Sequence, residues 1–405
     1  MQPQGAYPVK RMDRATEKKH PLLIPAMFDA HFPLLKYAFR TAQFSPVILD
    51  QGIEVLDTGL KYTNNDMCWP LAMMVGQMAD ALGSGRYDAD EVYLLMPTVG
   101  DACRGCNYYD LLKKAVIKAG FTKTKVLNMN LKHIAEDSCL PITPSMVWKA
   151  MFGLFYGDML MLLVQQTSPY EKHRGDSDRL RARWIKKLGR EIALSQKLSI
   201  FRLVKNFREI AQSFAAIERS GSKKTQIAIV GELYTKYCHT GNWDIVKFIE
   251  EQGCESFTNG LSWYVLYYID AQLTKLSVPE SIAYAGVGRV LGALQRKMIC
   301  EIRRAGFFSL PELLTLKREA EGIVNLSASV GDGWLIGAEA AGYIRHGRKK
   351  VLAVQPFGCM PSHIFGRGIY SSVARKAGGQ IVSIDMDSSG TRLNAYNRTR
   401  MLIDT

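Results

Sequence analysis

The sequence predicts an α/β protein with two mostly parallel sheets joined by a helical segment. Three observations carry that expectation. Short apolar runs alternate with helix-period segments over the first third of the chain, the pattern of parallel βα units. The pattern stops at about residue 144 and resumes at about residue 225. At 405 residues the chain is long enough for two or three domains of ~100–200 residues each.

The expected domains are a polar N-terminal arm (1–20), a first α/β domain (21–140), a helical connection (141–222) and a second α/β domain (223–405). In the first domain, 31–44 reads as a helix, 46–50 as a strand and 52–62 as a helix. The capping residues Asn64, Asn65 and Asp66 precede a helix over 69–82. A strand at 92–96, a helix at 108–119 and a strand at 125–130 follow. Segments 145–165 and 178–219 carry helix-period apolar residues with Lys and Arg between them, and 169–178 reads as a loop. The second domain restarts with a strand ending in Val230-Gly231-Glu232, then a helix at 244–252 and a helix-rich stretch over 261–304. Strands are expected at 323–326, 350–354 and 380–385, and a closing helix at 393–403. No repeat at a solenoid period is present in the sequence.

Composition narrows the function classes. Hydrophobic residues make up 47% and charged residues 22%, as in ordinary globular proteins. The net charge of +14 lacks a nucleic-acid motif, and its basic residues interleave with acidic ones, as over 179–190. A solvated face or an acidic partner (a CoA nucleotide, a phosphate, another subunit) accounts for it, and nucleic acid is not expected. The most apolar stretch, 151–164, contains Asp158 and is shorter than the ~20 residues a membrane helix needs. Lys10, Arg11 and Arg14 have no apolar core behind them, so no secretory signal is expected. Eight cysteines in this length do not make a disulfide framework. The reading is a cytoplasmic, reducing location with no membrane.

The cysteines organise the functional reading. Cys359 lies in Gln355-Pro356-Phe357-Gly358-Cys359-Met360-Pro361-Ser362-His363, where an apolar strand ends and a helix over 364–374 is expected to begin. Cys68 precedes the helix expected over 69–82, and Cys103 lies just beyond the strand at 92–96. In open α/β sheets, ligands collect outside the carboxyl ends of strands. Helix N-termini there carry partial positive charge, which is expected to lower a thiol pKa. Each of these thiols taken alone is more often a core residue than a ligand, and the common placement is what singles them out. Cys103 and Cys106 form a CxxC that could be a redox pair, a zinc half-site or an iron–sulfur half-site. Cys238 follows the strand at 227–233 and could reach the same rim. Cys300 reads as a buried helix residue, and Cys139 and Cys254 as structural. Gly286-Val287-Gly288 with Gly292 has the wrong spacing for a dinucleotide turn, and 221–225 precedes a strand rather than following one. Neither supports ATP binding.

Several segments resemble the 2-hydroxyacyl-CoA dehydratase superfamily, closest to the dehydratase-like portion of the large activase-related, double-cubane-type proteins. Residues 355–361 resemble its QPFGC-hydrophobic-P motif, and Tyr62 to Pro70 its YxNND-x-C-x-P element. Residues 100–104 with Asn107 and Tyr108 resemble GGGCR-x-x-NY, residues 331–335 with Glu339 resemble GEGWL…AE, and 230–234 resemble VGE-hydrophobic-Y. These run in order from about residue 30 to 400.

The resemblance implies two Rossmann-like domains holding an iron–sulfur cluster, either [4Fe-4S] or half of a double cubane, with thiolates as ligands. Carried over residue by residue, the ligands are Cys68, Cys103 and Cys359, which leaves one iron open. It also implies a separate ATP-hydrolysing iron–sulfur activator, an anaerobic setting and a homo- or hetero-oligomer. In the dehydratases the injected electron goes to an acyl-CoA thioester as a ketyl radical. This chain departs from the pattern at Cys106, a possible fourth ligand, and lacks the ATPase portion of the large relatives. The expected function is the iron–sulfur component of an ATP-primed low-potential reductase or dehydratase system. The alternatives are a non-catalytic electron-transfer or scaffold subunit, and an α/β binding protein that lost the cluster. Specificity lies in pocket shape, so neither the substrate nor the catalytic residues are legible at this stage.

Overall fold

The computed structural model describes residues 19–64, 66–98, 103–129, 140–195, 198–273 and 276–405. The fold is α/β with, among these residues, two four-stranded sheets in which every pairing is parallel. The first half runs β1 (His20–Ile24), α1 (Phe32–Phe39), β2 (Phe44–Ile48), α2 (Val55–Tyr62), α3 (Trp69–Gly83), β3 (Tyr93–Pro97), α4 (Tyr108–Lys118) and β4 (Lys125–Met129). The helices α5 (Pro144–Thr167), α6 (Asp176–Leu194) and α7 (Ile200–Ala215) then connect the two sheets, as expected. The second half begins with β5 (Gln226–Gly231), α8 (Leu233–Tyr237), α9 (Ile245–Glu251), β6 (Glu255–Thr258), α10 (Leu261–Gln272) and α11 (Val278–Arg304). It closes with α12 (Leu313–Glu319), α13 (Gly333–Arg345), β7 (Lys350–Pro356), α14 (Met360–Ser362), α15 (Tyr370–Ala377), β8 (Gln380–Met386) and α16 (Arg392–Asp404).

The strand orders are β2-β1-β3-β4 and β6-β5-β7-β8. Each sheet therefore runs outward by one strand, then returns to the other side of its starting strand. That reversal creates a crevice at the carboxyl ends of β1 and β3, and another at those of β5 and β7.

Five expectations are corrected. Residue 20, assigned to the arm, opens β1, a central strand whose His-Pro start hid it. The strand expected at 46–50 is β2, two residues earlier, and Pro46 is tolerated because β2 lies on the sheet edge. The stretch 323–326 is turn, not strand; it follows Gly322 in the left-handed region (φ 71°). In its place β6 completes the sheet, unseen in the sequence because its Glu-Ser-Phe-Thr face is polar and buried. Gln165 of α5 satisfies it, donating to Thr258 Oγ1 (3.1 Å) and accepting from Thr258 N–H (2.9 Å). The helix expected over 364–374 is broken into α14, a π turn at His363–Arg367, and α15.

Burial follows the pleat. Ile227, Ile229, Leu352 and Val354 face a core shared with the first sheet and α3. Ala228, Val230, Val351 and Ala353 face the core built by α5, α7, α10, α11 and α13. Helix α5 is 24 residues long, longer than its apolar stretch suggested, and meets the length and composition of a membrane span. Its middle is nonetheless packed inside the protein. Thr143 caps it, accepting from Met146 N–H at 3.2 Å. Gly153 and Gly157 give it a groove for α1: a Cβ on Gly157 would lie 2.3 Å from the His31 ring.

Asp158, fully buried in the middle of α5, joins three parts of the chain. It accepts from Leu261 N–H (2.6 Å) and Ser262 N–H (3.0 Å) at the start of α10, and its Oδ1 pairs with His31 Nε2 at 2.8 Å. Replacing it with Ala strands three buried donors. We expect Asp158→Ala to lower unfolding free energy in urea by about 3–5 kcal/mol, with Asp158→Asn costing less; a loss under ~1 kcal/mol contradicts this account.

Glu250 gives a pH test. Burial, then the Asp178 and Glu171 charges, push its carboxyl from 4.5 up to about 7, against a hydrogen bond from Ser168. The folded state therefore binds this proton more tightly than the unfolded chain, so stability is lost as pH rises from 4.5 through about 7. In thermal melts, Glu250→Gln should match the parent at pH 4 and exceed it at pH 8. Equal curves at pH 8 refute the assignment.

Candidate functional site

The second crevice opens where β5 and β7 end. Gly231 (φ 134°) has room for no side chain, because a Cβ would lie 1.9 Å from Val354 O. That close approach lets Glu232 N–H bond Val354 O (3.0 Å) and holds Glu232 at the mouth of the crevice. Its carboxylate caps α8, accepting from Thr235 N–H at 3.0 Å. Across the crevice, Gly358 (φ 68°) turns the chain after β7, and Cys359 sits at the start of α14 with its Sγ 3.3 Å from Ser362 Oγ.

Two thiols arrive from the first half. Cys103, beyond β3, opens a 3-10 turn and accepts from Gly105 N–H at 3.1 Å. Cys68 opens α3, and the Tyr108 hydroxyl donates to it. The next residue, Trp69, ties that helix start to the second half: its Nε1 donates to Gly241 O (2.9 Å) and its ring meets Trp243 edge-on at 5.7 Å. Cys68, Cys103 and Cys359 are all half-buried, and all three feel the Glu232 charge. Cys68 also feels Cys103, and both Cys103 and Cys359 feel Asp332. The structure thus gathers the three sequence-selected thiols around Glu232. It does not draw them to the spacing of a single ion: among the described residues no three His, Cys, Asp or Glu side chains are placed to hold one.

The expected lowering of the thiol pKa values is overturned. Burial pushes Cys68 up to about 12 and Cys103 up to about 11, and raises Cys359 further. Desolvation, with the nearby carboxylates, outweighs what the helix start at Cys68 and the short turns at Cys103 and Cys359 offer a thiolate.

The other cysteines separate. Cys106 is exposed, one turn after Cys103, with its N–H on Cys103 O at 3.2 Å. Cys238 is fully buried, its Sγ near Ala26 O (3.7 Å); burial, then Asp29, raise it to about 12, and its neighbours are not the Glu232 group. Cys254 is buried. Cys300 lies in α11 as expected but is exposed, a correction to the buried reading, because its helix face meets solvent. Cys139 and residues 99–102 lie outside the described residues. Of the glycine-rich candidates, 286–292 lies within α11, and 221–225 precedes β5.

Beneath the thiols lies a buried polar layer whose chemistry the residues alone did not reveal. Lys236 Nζ pairs with Glu339 Oε2 at 3.0 Å, both almost wholly buried, and Asn259 donates to Glu339 Oε1 at 3.2 Å. Asp332, at the start of α13, is pushed well above the ordinary carboxylate range by burial and then by Glu232. Burial raises Glu232 as well. The available signal was a charged residue directly after an apolar strand, as at Glu232. A cavity of about 190 Å³ opens beside Cys68, lined by Asp66, Leu71, Arg104, Asn107 and Tyr108 among others. Arg104 Nη1 donates to Asp66 O at 2.8 Å on its rim.

Compared with protein-family models, curated proteins and solved structures, the chain matches none.

Neutral, half-buried thiols react slowly with alkylating agents. In metal-free protein at pH 7, iodoacetamide should label exposed Cys300 well before Cys68, Cys103 or Cys359. Peptide mapping by mass spectrometry reads the order, and faster labelling of any of the three overturns it.

Proposed function

We propose that Cys68, Cys103 and Cys359 hold an iron–sulfur cluster, a [4Fe-4S] or one half of a double cubane. The chain is then the iron–sulfur component of an ATP-primed, low-potential reductase or dehydratase system. The observation that carries this reading is the set of three half-buried thiols, drawn from both halves of the chain, around Glu232. One ion with thiolates at ~2.3 Å would need them within ~4.6 Å of each other. The described residues hold no such single-ion group, and thiolates are the usual ligands of multi-iron clusters.

Bound there, the cluster supplies an electron at very low potential. The chain's own groups do the rest. The Tyr108 hydroxyl and Gly105 N–H donate to Cys68 and Cys103, the hydrogen bonds that tune such a site. The raised thiols must each give up a proton on ligation, so loading favours higher pH. Asp332, whose hold on a proton is strengthened by burial and then by the Glu232 charge, is suited to act as an acid toward a departing hydroxyl. The cavity beside Cys68 gives a small substrate, such as part of an acyl-CoA, access to that thiol, which favours catalysis over simple electron passage. Neither glycine-rich segment follows a strand into a helix start, so ATP hydrolysis is assigned to a separate iron–sulfur activator.

The second reading, a non-catalytic electron-transfer or scaffold subunit, is favoured by Cys106. Its position one turn from Cys103 offers a fourth thiolate that would close the cluster.

Anaerobic reconstitution with iron and sulfide tests the ligands. Cys68→Ser, Cys103→Ser and Cys359→Ser should each lose most bound iron, and Cys300→Ser none. Full iron in Cys359→Ser sinks the proposal. An electron paramagnetic resonance spectrum unchanged in Cys106→Ala supports the open site, whereas an altered spectrum with partial cluster loss moves the weight to the carrier.

A further inference from the structure

A second cavity, of about 340 Å³, opens at the other end of the second sheet. Gln226 and Glu255, the first residues of β5 and β6, lie on its wall, while Glu232 lies just past the far end of β5. Six residues of strand at ~3.3 Å each put about 20 Å between this cavity and the thiols. The volume is at the lower end of the ~300–1,000 Å³ typical of small-molecule sites.

The cavity is built from charge and aromatic rings. The Arg348 guanidinium stacks 3.4 Å from the Phe308 ring centre and 4.9 Å from that of Phe257. Its Nη1 donates to His346 O (2.7 Å), yet its Nε is buried without a hydrogen-bond partner among the described residues. Arg219 lies 4.9 Å over Phe307, and its charge reaches Glu255 in the same cavity. Stacking fixes a guanidinium while leaving its in-plane N–H groups for an anion. The loop carrying both rings is itself pinned: Gln166 accepts from Phe308 N–H (2.7 Å) and donates to Phe308 O (2.9 Å). Glu255 is positioned with equal care. Its Oε2 accepts from the Tyr170 hydroxyl and the Gln226 amide, each at 2.9 Å, while Oε1 has no partner among the described residues.

The stacked Arg348 guanidinium, the exposed Arg219 and the positioned Glu255 carboxyl thus line one small-molecule-sized space, and both Arg charges act on Glu255. We propose that this cavity binds a small anion, a phosphate or carboxylate, that carries an adjacent hydroxyl or amine. Arg219 and Arg348 take the anionic group, and Glu255 Oε1 takes the neighbouring hydrogen. The site is independent of the iron–sulfur reading, because no thiol lines it.

Calorimetry of the full chain with glycerol 3-phosphate and, separately, malate tests this. At least one should bind saturably at one site, and binding of only one identifies the anion class. Arg219→Ala, at an exposed position, should weaken binding at least ~10-fold, about 1.4 kcal/mol, while Arg190→Ala on the exposed face of α6 should not. Inorganic phosphate, which lacks the hydroxyl, should bind more weakly than glycerol 3-phosphate. No saturable binding of either probe up to ~10 mM overturns the proposal, as do equal losses in Arg219→Ala and Arg190→Ala.

Discussion

One buried carboxylate sets the geometry on which the rest depends. Asp158 lies at the centre of the longest apolar helix of the connection, fully removed from solvent. Such a group is tolerable only when its oxygens are satisfied. Its partners come from before and after its own helix: His31 at the start of α1, and the first two backbone N–H groups of α10. Because α1 belongs to the first half and α10 to the second, satisfying one carboxylate fixes both halves against α5. Gly260 is part of the same constraint, since a Cβ there would lie 2.5 Å from the Asp158 carboxyl.

That fixed relation is what a site drawn from both sheets requires. Cys68 and Cys103 come from the first half and Cys359 from the second, so any slip between halves would separate them. The Trp69 bond to Gly241 holds the same junction nearer the thiols. Cys238 packs there too, against Ala26 just past β1. This explains its burial without a ligand role.

Much of the fold was legible because parallel α/β units write themselves as alternating apolar runs and helix periods. The runs at 92–96, 125–130, 350–354 and 380–385 fall on observed strands within a residue or two. The failures share a cause: the periodicity signal reports burial of apolar side chains, and it fails where polar groups are buried or strands are short. β6 buries Ser256 and Thr258 because Gln165 reaches it from α5, a contact about ninety positions away that no local window contains. The shared topology of the two sheets was invisible for a related reason. It is a repeat of connections, not of residues. At the site, the positions of the three thiols at turn starts could be read locally, but their protonation could not. A helix start raises the expectation of a stabilised thiolate, and only the surrounding burial and the Glu232 charge reverse its sign.

The layer beneath the thiols has an electrostatic consequence of its own. Glu232, Asp332 and Glu339 are carboxyls served by one buried cation, Lys236. The geometry commits that cation: Lys236 Nζ reaches both oxygens of Glu339, at 3.0 and 3.2 Å. A buried pair of this kind adds little stability by itself, since desolvation offsets most of the attraction. It does lock α8 to α13, and those two helices begin with Glu232 and Asp332. Lys236, engaged with Glu339, lowers Glu232 and Asp332 too but does not cancel their rise. Burial raises both carboxyls, and at Asp332 the Glu232 charge adds to that rise. The site therefore sets two carboxyls of raised proton affinity beside three neutral thiols. Any group that takes those thiols as thiolates must displace protons from them, and it will do so beside carboxyls that hold a proton more tightly than usual.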